Sequence, residues 1–184
     1  MLDLPLALPD ERTVETDDVY GAVGRALTFA CRFEGDCRAI AMYFGIRRAA
    51  DEGGAFSIGN FAQVQELGEK IFKHPLFSHV VSLAKSLGFQ ALFGDPVGNV
   101  LQSAREARNE LVHELTLGMW HALEAPEGIE RTLARVAELA VQLAVAHRYV
   151  GVVMALVNKE ELPAKAYLDA YPQEVVDWVC RIPE

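Results

Sequence analysis

Apolar side chains recur along this chain mostly at spacings of three and four, and no long stretch alternates apolar with polar as a half-buried strand does. The pattern predicts an all-α protein. Asp17 and Asp18 can cap a helix from Val19 to Phe33, and Gly35-Asp36 can close it and cap a second from Cys37 to Ala50. The two also read as one kinked helix. Gly53, Gly54 and Gly59 mark a loop, after which Asn60 with Gln63 resembles a capping box for a helix ending near Lys73. His74-Pro75 restarts the chain as a helix to Leu87, and residues 88–94 read as a loop. Asp95-Pro96, an N-cap followed by proline at the first helical position, opens a helix that reaches Leu117. Pro126-Glu127 opens another that runs to Asn158, and Pro163 and Pro172 start two short closing helices.

The expected architecture is an up-and-down helical bundle with short connections: an extended arm over residues 1–16, then one all-helical domain over 17–184. Between Val136 and Val157 the sequence is apolar on nearly every face and rich in alanine, which marks the buried central helix. Glu138, Gln142, His147 and Arg148 within that stretch are costly at the centre of a bilayer, so no membrane span is expected. His147 reads as a hydrogen-bonded structural histidine.

Composition narrows the picture. With 51% hydrophobic residues in 184, the chain can build a core and is not intrinsically disordered. The three cysteines form no CxxC pair and suit a reducing compartment; Cys31 and Cys37 fall in apolar helices and read as core. The first nine residues carry an acid, two prolines and no basic region, unlike a signal peptide, so a cytoplasmic location is expected.

The candidate chemistry lies between Arg105 and Glu114. At 100° per residue, Val97, Leu101, Ala104, Leu111 and Leu115 fall within about 40° of a common direction, and Arg108 falls inside that stripe. An arginine there needs a buried acid, a subunit interface or an anionic ligand. Arg105, Asn109 and His113 follow one another at i, i+4 and i+8 beside the stripe as a polar ridge. A guanidinium to hold phosphate oxygens, an imidazole to move a proton and an amide to orient them suffice for RNA cleavage by its own 2′-hydroxyl, without a metal.

The run Arg108-Asn109-Glu110-Leu111-Val112-His113 resembles the R-x4-6-H motif of HEPN domains, including the polar residue after the arginine. The resemblance implies a HEPN-like helical core that forms a homodimer, with the motifs of both subunits facing a shared cleft. In many members that cleft is a metal-independent endoribonuclease site used by toxins and antiphage defence systems; others have lost catalysis and serve as binding modules. Carried over, Arg108 would bind and polarise the scissile phosphate, His113 would be the general acid or base, and Asn109 would orient them. One subfamily has tyrosine two positions after the histidine, where a partner nucleotidyltransferase modifies it; this chain has Leu115 there. On a straight helix Arg108 and His113 stand about 140° apart, which favours a site shared in trans across a two-fold axis.

Seventeen basic against twenty-six acidic residues leave a net charge of −9, which gives no long-range attraction for a polyanion. RNA contacts must then be local. Arg105 and the Arg47-Arg48 pair, with Lys70, Lys73 and His74, are the candidates to line such a cleft, although paired arginines at a helix end also suit a solvated terminus. Glu110-x-x-His113 resembles half of a carboxylate di-metal site, but no second Glu-x-x-His exists, and neither His74 with His79 nor His121 makes a metal-binding pattern. Phosphate-binding glycine loops are absent, so neither a metal nor another cofactor is expected.

Three readings follow. The first is a homodimeric HEPN-like endoribonuclease, cutting single-stranded RNA and controlled by an antitoxin or defence partner. The second is a catalytically inactive HEPN-like module that binds a nucleotide or a protein partner in a regulatory or defence complex, which the acidic surface favours. The third is an unrelated bundle in which Arg108 pairs with a buried acid such as Glu34 or Glu66.

Overall fold

The structure is a computed structural model that describes residues 13–51, 61–73, 97–115, 119 and 122–181. Among these residues there is no strand, and the fold is an all-α bundle. Its elements are α1 (Val14–Asp51), α2 (Phe61–Lys73), α3 (Val97–Asn109), a π-turn (Glu110–Glu114) that continues α3, α4 (Pro126–Asn158) and α5 (Lys165–Cys180). The expected helix over 75–87 and loop over 88–94 lie outside the described residues.

Helix α1 starts earlier and runs longer than the sequence suggested. The cap is Thr13, not Asp17 or Asp18: the Thr13 and Thr16 backbone N–H groups donate to each other's hydroxyl oxygens at 2.9 and 3.2 Å. That reciprocal pair is a capping box with threonine at its third position, and it brings the helix start into the stretch read as an arm. Gly35-Asp36 does not break the helix, which is continuous over 38 residues. Its inward side is one apolar stripe from Val19 through Ala26, Phe29 and Phe33 to Cys37 and Ile40, and burying that stripe outweighs the propensity cost of Gly35. Gly35 lies on the exposed side, as does Cys31, so Cys31 is not a core residue.

Helix α4 spans the residues expected of it and is the centre of the bundle, packing against α1, α3 and α5. Val136, Leu139, Ala140, Leu143, Ala144, Ala146 and Val150 are fully covered, and the alanines let neighbouring helices approach closely. By length and composition it could cross a bilayer, and 56% of its most hydrophobic window is buried within the bundle. Its entry is tight. Gly128 lies under the Ala122 carbonyl, where a Cβ would come within 1.7 Å of the oxygen. Its exit turns on Lys159 in the left-handed region, φ 58°, with the Glu160 N–H closing onto the Ala155 carbonyl at 2.9 Å.

In place of two short closing helices there is one. α5 passes through Pro172 without stopping, although that proline cannot donate to the carbonyl four residues earlier. The helix is held from outside: Val175 and Val179 are buried, and Arg25 of α1 donates to the carbonyls of Val179 and Arg181, both at 2.8 Å. A guanidinium on the last carbonyls satisfies acceptors that a helix end leaves open and complements its dipole.

Candidate functional site

Arg108 occupies the last turn of α3, facing the bundle, and its side chain keeps 29% of its surface exposed. Glu34 of α1 accepts from its Nε at 3.1 Å and from its Nη2 at 2.9 Å, both through Oε2. Asn109 Oδ1 accepts from Nη1 at 3.3 Å. Of the five N–H groups of a guanidinium these contacts use three, which leaves one on each Nη atom. The arginine is therefore oriented and still has donors to offer. Glu34 also accepts from Arg38 one turn along α1. The contact between Arg108 and Glu34 is the one the third reading named.

After Asn109 the helix widens. The Leu115 N–H donates to the Glu110 carbonyl, five residues back instead of four, so Glu110–Glu114 form a π-turn. Such a turn advances each residue by roughly 80° rather than 100°, so three steps from Glu110 to His113 lose about 60°. The separation of Arg108 and His113 around the axis falls from about 140° to about 80°. The straight-helix expectation is corrected accordingly, and with it the geometric need for a trans arrangement. His113 is exposed on this turn, while Leu111 is fully buried and keeps the turn anchored to the core.

On its other side the π-turn is tied to α4. Arg135 donates from Nε to Glu110 Oε1 and from Nη2 to Oε2, both at 2.6 Å, and from Nη1 to Glu138 Oε2 at 2.7 Å. The Arg135 bonds hold the Glu110 carboxyl below the usual carboxylate range, against a smaller opposing effect of burial. Beside this clamp lies an open cavity of about 260 Å³ lined by Glu110, Glu114, Leu115, Met119, Ala122 and Thr132. Among the described residues its lining holds two carboxylates and no basic side chain, which disfavours a phosphate there.

No family model, curated protein or solved structure matches this chain. Its chemistry must be read from its own residues.

Arg105 and Asn109 are exposed on α3 beside Arg108, so the polar ridge exists up to the point where the π-turn rotates His113. Arg47 and Arg48 are exposed in the closing turns of α1. They lie roughly 20 Å further along that helix than Glu34, so within one subunit they are not part of the Arg108 cluster. The side chains of Lys70, Lys73, His74, His79 and His121 lie outside the described residues. Among the described residues no three His, Cys, Asp or Glu side chains gather as a metal site.

A second polar cluster sits between α1, α4 and α5. His147, only 8% exposed, bonds through Nε2 to Asp36 Oδ2 at 2.8 Å and through Nδ1 to the Tyr171 hydroxyl at 2.6 Å. A carboxylate at Nε2 assigns the proton there, so Nδ1 accepts from the Tyr171 O–H. Phe29 and Phe33 meet the ring edge-on, with centroids at 5.3 and 6.3 Å. Burial pushes the His147 pKa down, opposed by the hydrogen bond and charge of Asp36, with a further downward push from Arg32. Burial likewise raises Tyr171 to about 12.

Residues 105–113 stand out in the sequence as a candidate site because Arg108 breaks an apolar stripe. Arg135 does not, since nothing in the sequence ties it to Glu110.

Proposed function

We propose that this protein is a cytoplasmic, HEPN-like, metal-independent endoribonuclease of toxin or antiphage-defence type, cutting single-stranded RNA as a homodimer. The observation that carries the reading is an oriented, half-buried Arg108 that retains N–H donors, one widened helical turn from an exposed His113. In this reading the two remaining donors take non-bridging oxygens of the scissile phosphate. His113 accepts the proton of the 2′-hydroxyl as that oxygen attacks phosphorus, or donates one to the departing 5′-oxygen, with the second subunit's histidine available for the other transfer. The products are a 2′,3′-cyclic phosphate and a 5′-hydroxyl. Asn109 keeps Arg108 aimed, and Arg105 supplies a local positive charge on an otherwise acidic protein.

The test is cleavage of single-stranded RNA by purified protein in excess EDTA, with the end groups identified. Cyclic phosphate ends are expected, DNA should survive, and His113→Ala should abolish cleavage while changing stability by no more than about half a kcal/mol. Activity that disappears with EDTA, or equal cleavage of DNA, excludes this chemistry. Mixed dimers of Arg108→Ala and His113→Ala chains then separate the two geometries. About half the wild-type activity is expected if the pair works in trans, and none if it works within one chain.

A second reading, a catalytically inactive HEPN-like module, is favoured by one contact. Glu34 already neutralises Arg108, as in a structural ion pair. Absence of cleavage by the wild-type homodimer, together with saturable binding of a nucleotide or a protein partner, would select it.

A further inference from the structure

We propose that Arg135 is a positioning residue: by gripping Glu110 it holds the π-turn and so sets the direction of His113 relative to Arg108. The inference rests on the RNA-cleavage reading. Its physical basis is the cost of a π-turn, which is a rare departure from the α ladder and persists where surrounding contacts enforce it. Two contacts do so here. Leu111, fully buried, fixes the turn to the core, and Glu110, its first residue, is fixed to α4.

The grip on Glu110 is specific. Both carboxylate oxygens are taken by one arginine at 2.6 Å, and the third arm of that guanidinium is held by Glu138. Two parallel bonds between planar groups fix orientation as well as distance, which a lysine ammonium cannot do. The same residue, Glu110, provides the carbonyl that receives the long-range Leu115 N–H. Its side chain thus holds the position from which the turn widens. Without the grip the segment can relax to a regular α-helix, which rotates His113 by about 60°, back toward its separation of about 140° from Arg108. Arg135 touches no substrate in this account and acts through Glu110 alone.

The experiment compares full-length Arg135→Gln, Arg135→Lys and Glu110→Gln with wild type, using Arg131→Gln, an exposed position one turn earlier on α4, as the control. Two quantities are read: which carbonyl accepts from the Leu115 N–H in a crystal structure of each variant, and kcat and KM on a single-stranded RNA oligonucleotide. In Arg135→Gln the acceptor should change from Glu110 to Leu111, as the turn relaxes to a regular α-helix. Its kcat should fall by about tenfold or more, with KM within about twofold, because misplacing a reacting group weakens the chemical step more than binding. Arg135→Lys should recover part of kcat, and should decide the matter if the glutamine variants do not fold. An unchanged Glu110 acceptor overturns the grip; a changed acceptor with unchanged kcat overturns the positioning role. A wild-type protein that cuts no RNA overturns the cleavage reading and the positioning role with it, while the Leu115 acceptor still reports separately whether Arg135 holds the turn.

Discussion

His147 and Arg108 are both polar side chains set among apolar neighbours on the inward side of a helix, and the fold resolves them in opposite ways. His147 is closed off. Both ring nitrogens are bonded, to Asp36 of α1 and Tyr171 of α5, and two phenylalanines cover its edges. Every hydrogen bond the neutral ring can make is made within the bundle, so the cluster fastens three helices together and offers nothing to a ligand. Arg108 is left open. Glu34 and Asn109 take three of its five donors, and its side chain keeps 29% of its surface in contact with solvent. A polar group with spare, oriented donors at a surface is where binding chemistry can occur; one fully satisfied inside is where stability resides.

Substitution should separate the two on opposite axes. His147→Ala removes two hydrogen bonds and a buried ring, orphans the Tyr171 hydroxyl, and should lower unfolding free energy by about 2–4 kcal/mol in denaturant titrations. Arg108→Ala leaves Glu34 still bonded to Arg38, and the pair it breaks is partly solvated. Its stability cost should stay under about 1 kcal/mol, while the RNA cleavage proposed above should be lost. Equal stability costs would mean that Arg108 is as structural as His147, and would move the reading toward an inert bundle.

The two regions also differ in how far the sequence revealed them. The limits of α4 were plain because Pro126 opens it and an apolar run fills it. The apolar stripe of α3 made Arg108 conspicuous, and of the two acids offered as its partner, Glu34 and Glu66, Glu34 is the one that pairs with it. Other features depend on contacts far apart in the chain. Asp36 looks like a helix cap after Gly35, but its carboxylate is used by His147, 111 positions away, and the helix runs through it. Pro172 looks like a helix start, yet α5 is held through it by packing on α4 and by Arg25 at its end. Cys31 looked like core because its neighbours are apolar, but its place on the helix circumference turns it outward. The π-turn was illegible for the same reason, since Arg135 reaches Glu110 across 25 positions and α-helical periodicity carries no trace of it.

The smallest expected effect is in pH dependence, and it belongs to the closed cluster alone. Burial holds the folded-state pKa of His147 below its ordinary value of 6.5, with the Asp36 hydrogen bond and charge opposing and Arg32 adding to the depression. In the unfolded chain the ring is free to take up a proton near 6.5, so between the two pKa values the unfolded state binds more protons than the folded one. Unfolding free energy must then rise with pH through that window: the His147 contribution is whole above 6.5 and is lost as pH falls through the folded-state pKa. Other groups titrate as well, so the quantity to measure is the stability of wild type minus that of His147→Gln, from urea titrations between pH 8 and 5. The difference should be flat above 6.5 and decline below it. A difference that grows in acid would mean that the Asp36 carboxylate, and not burial, governs the ring, with the folded pKa raised and the cluster acting as an ion pair.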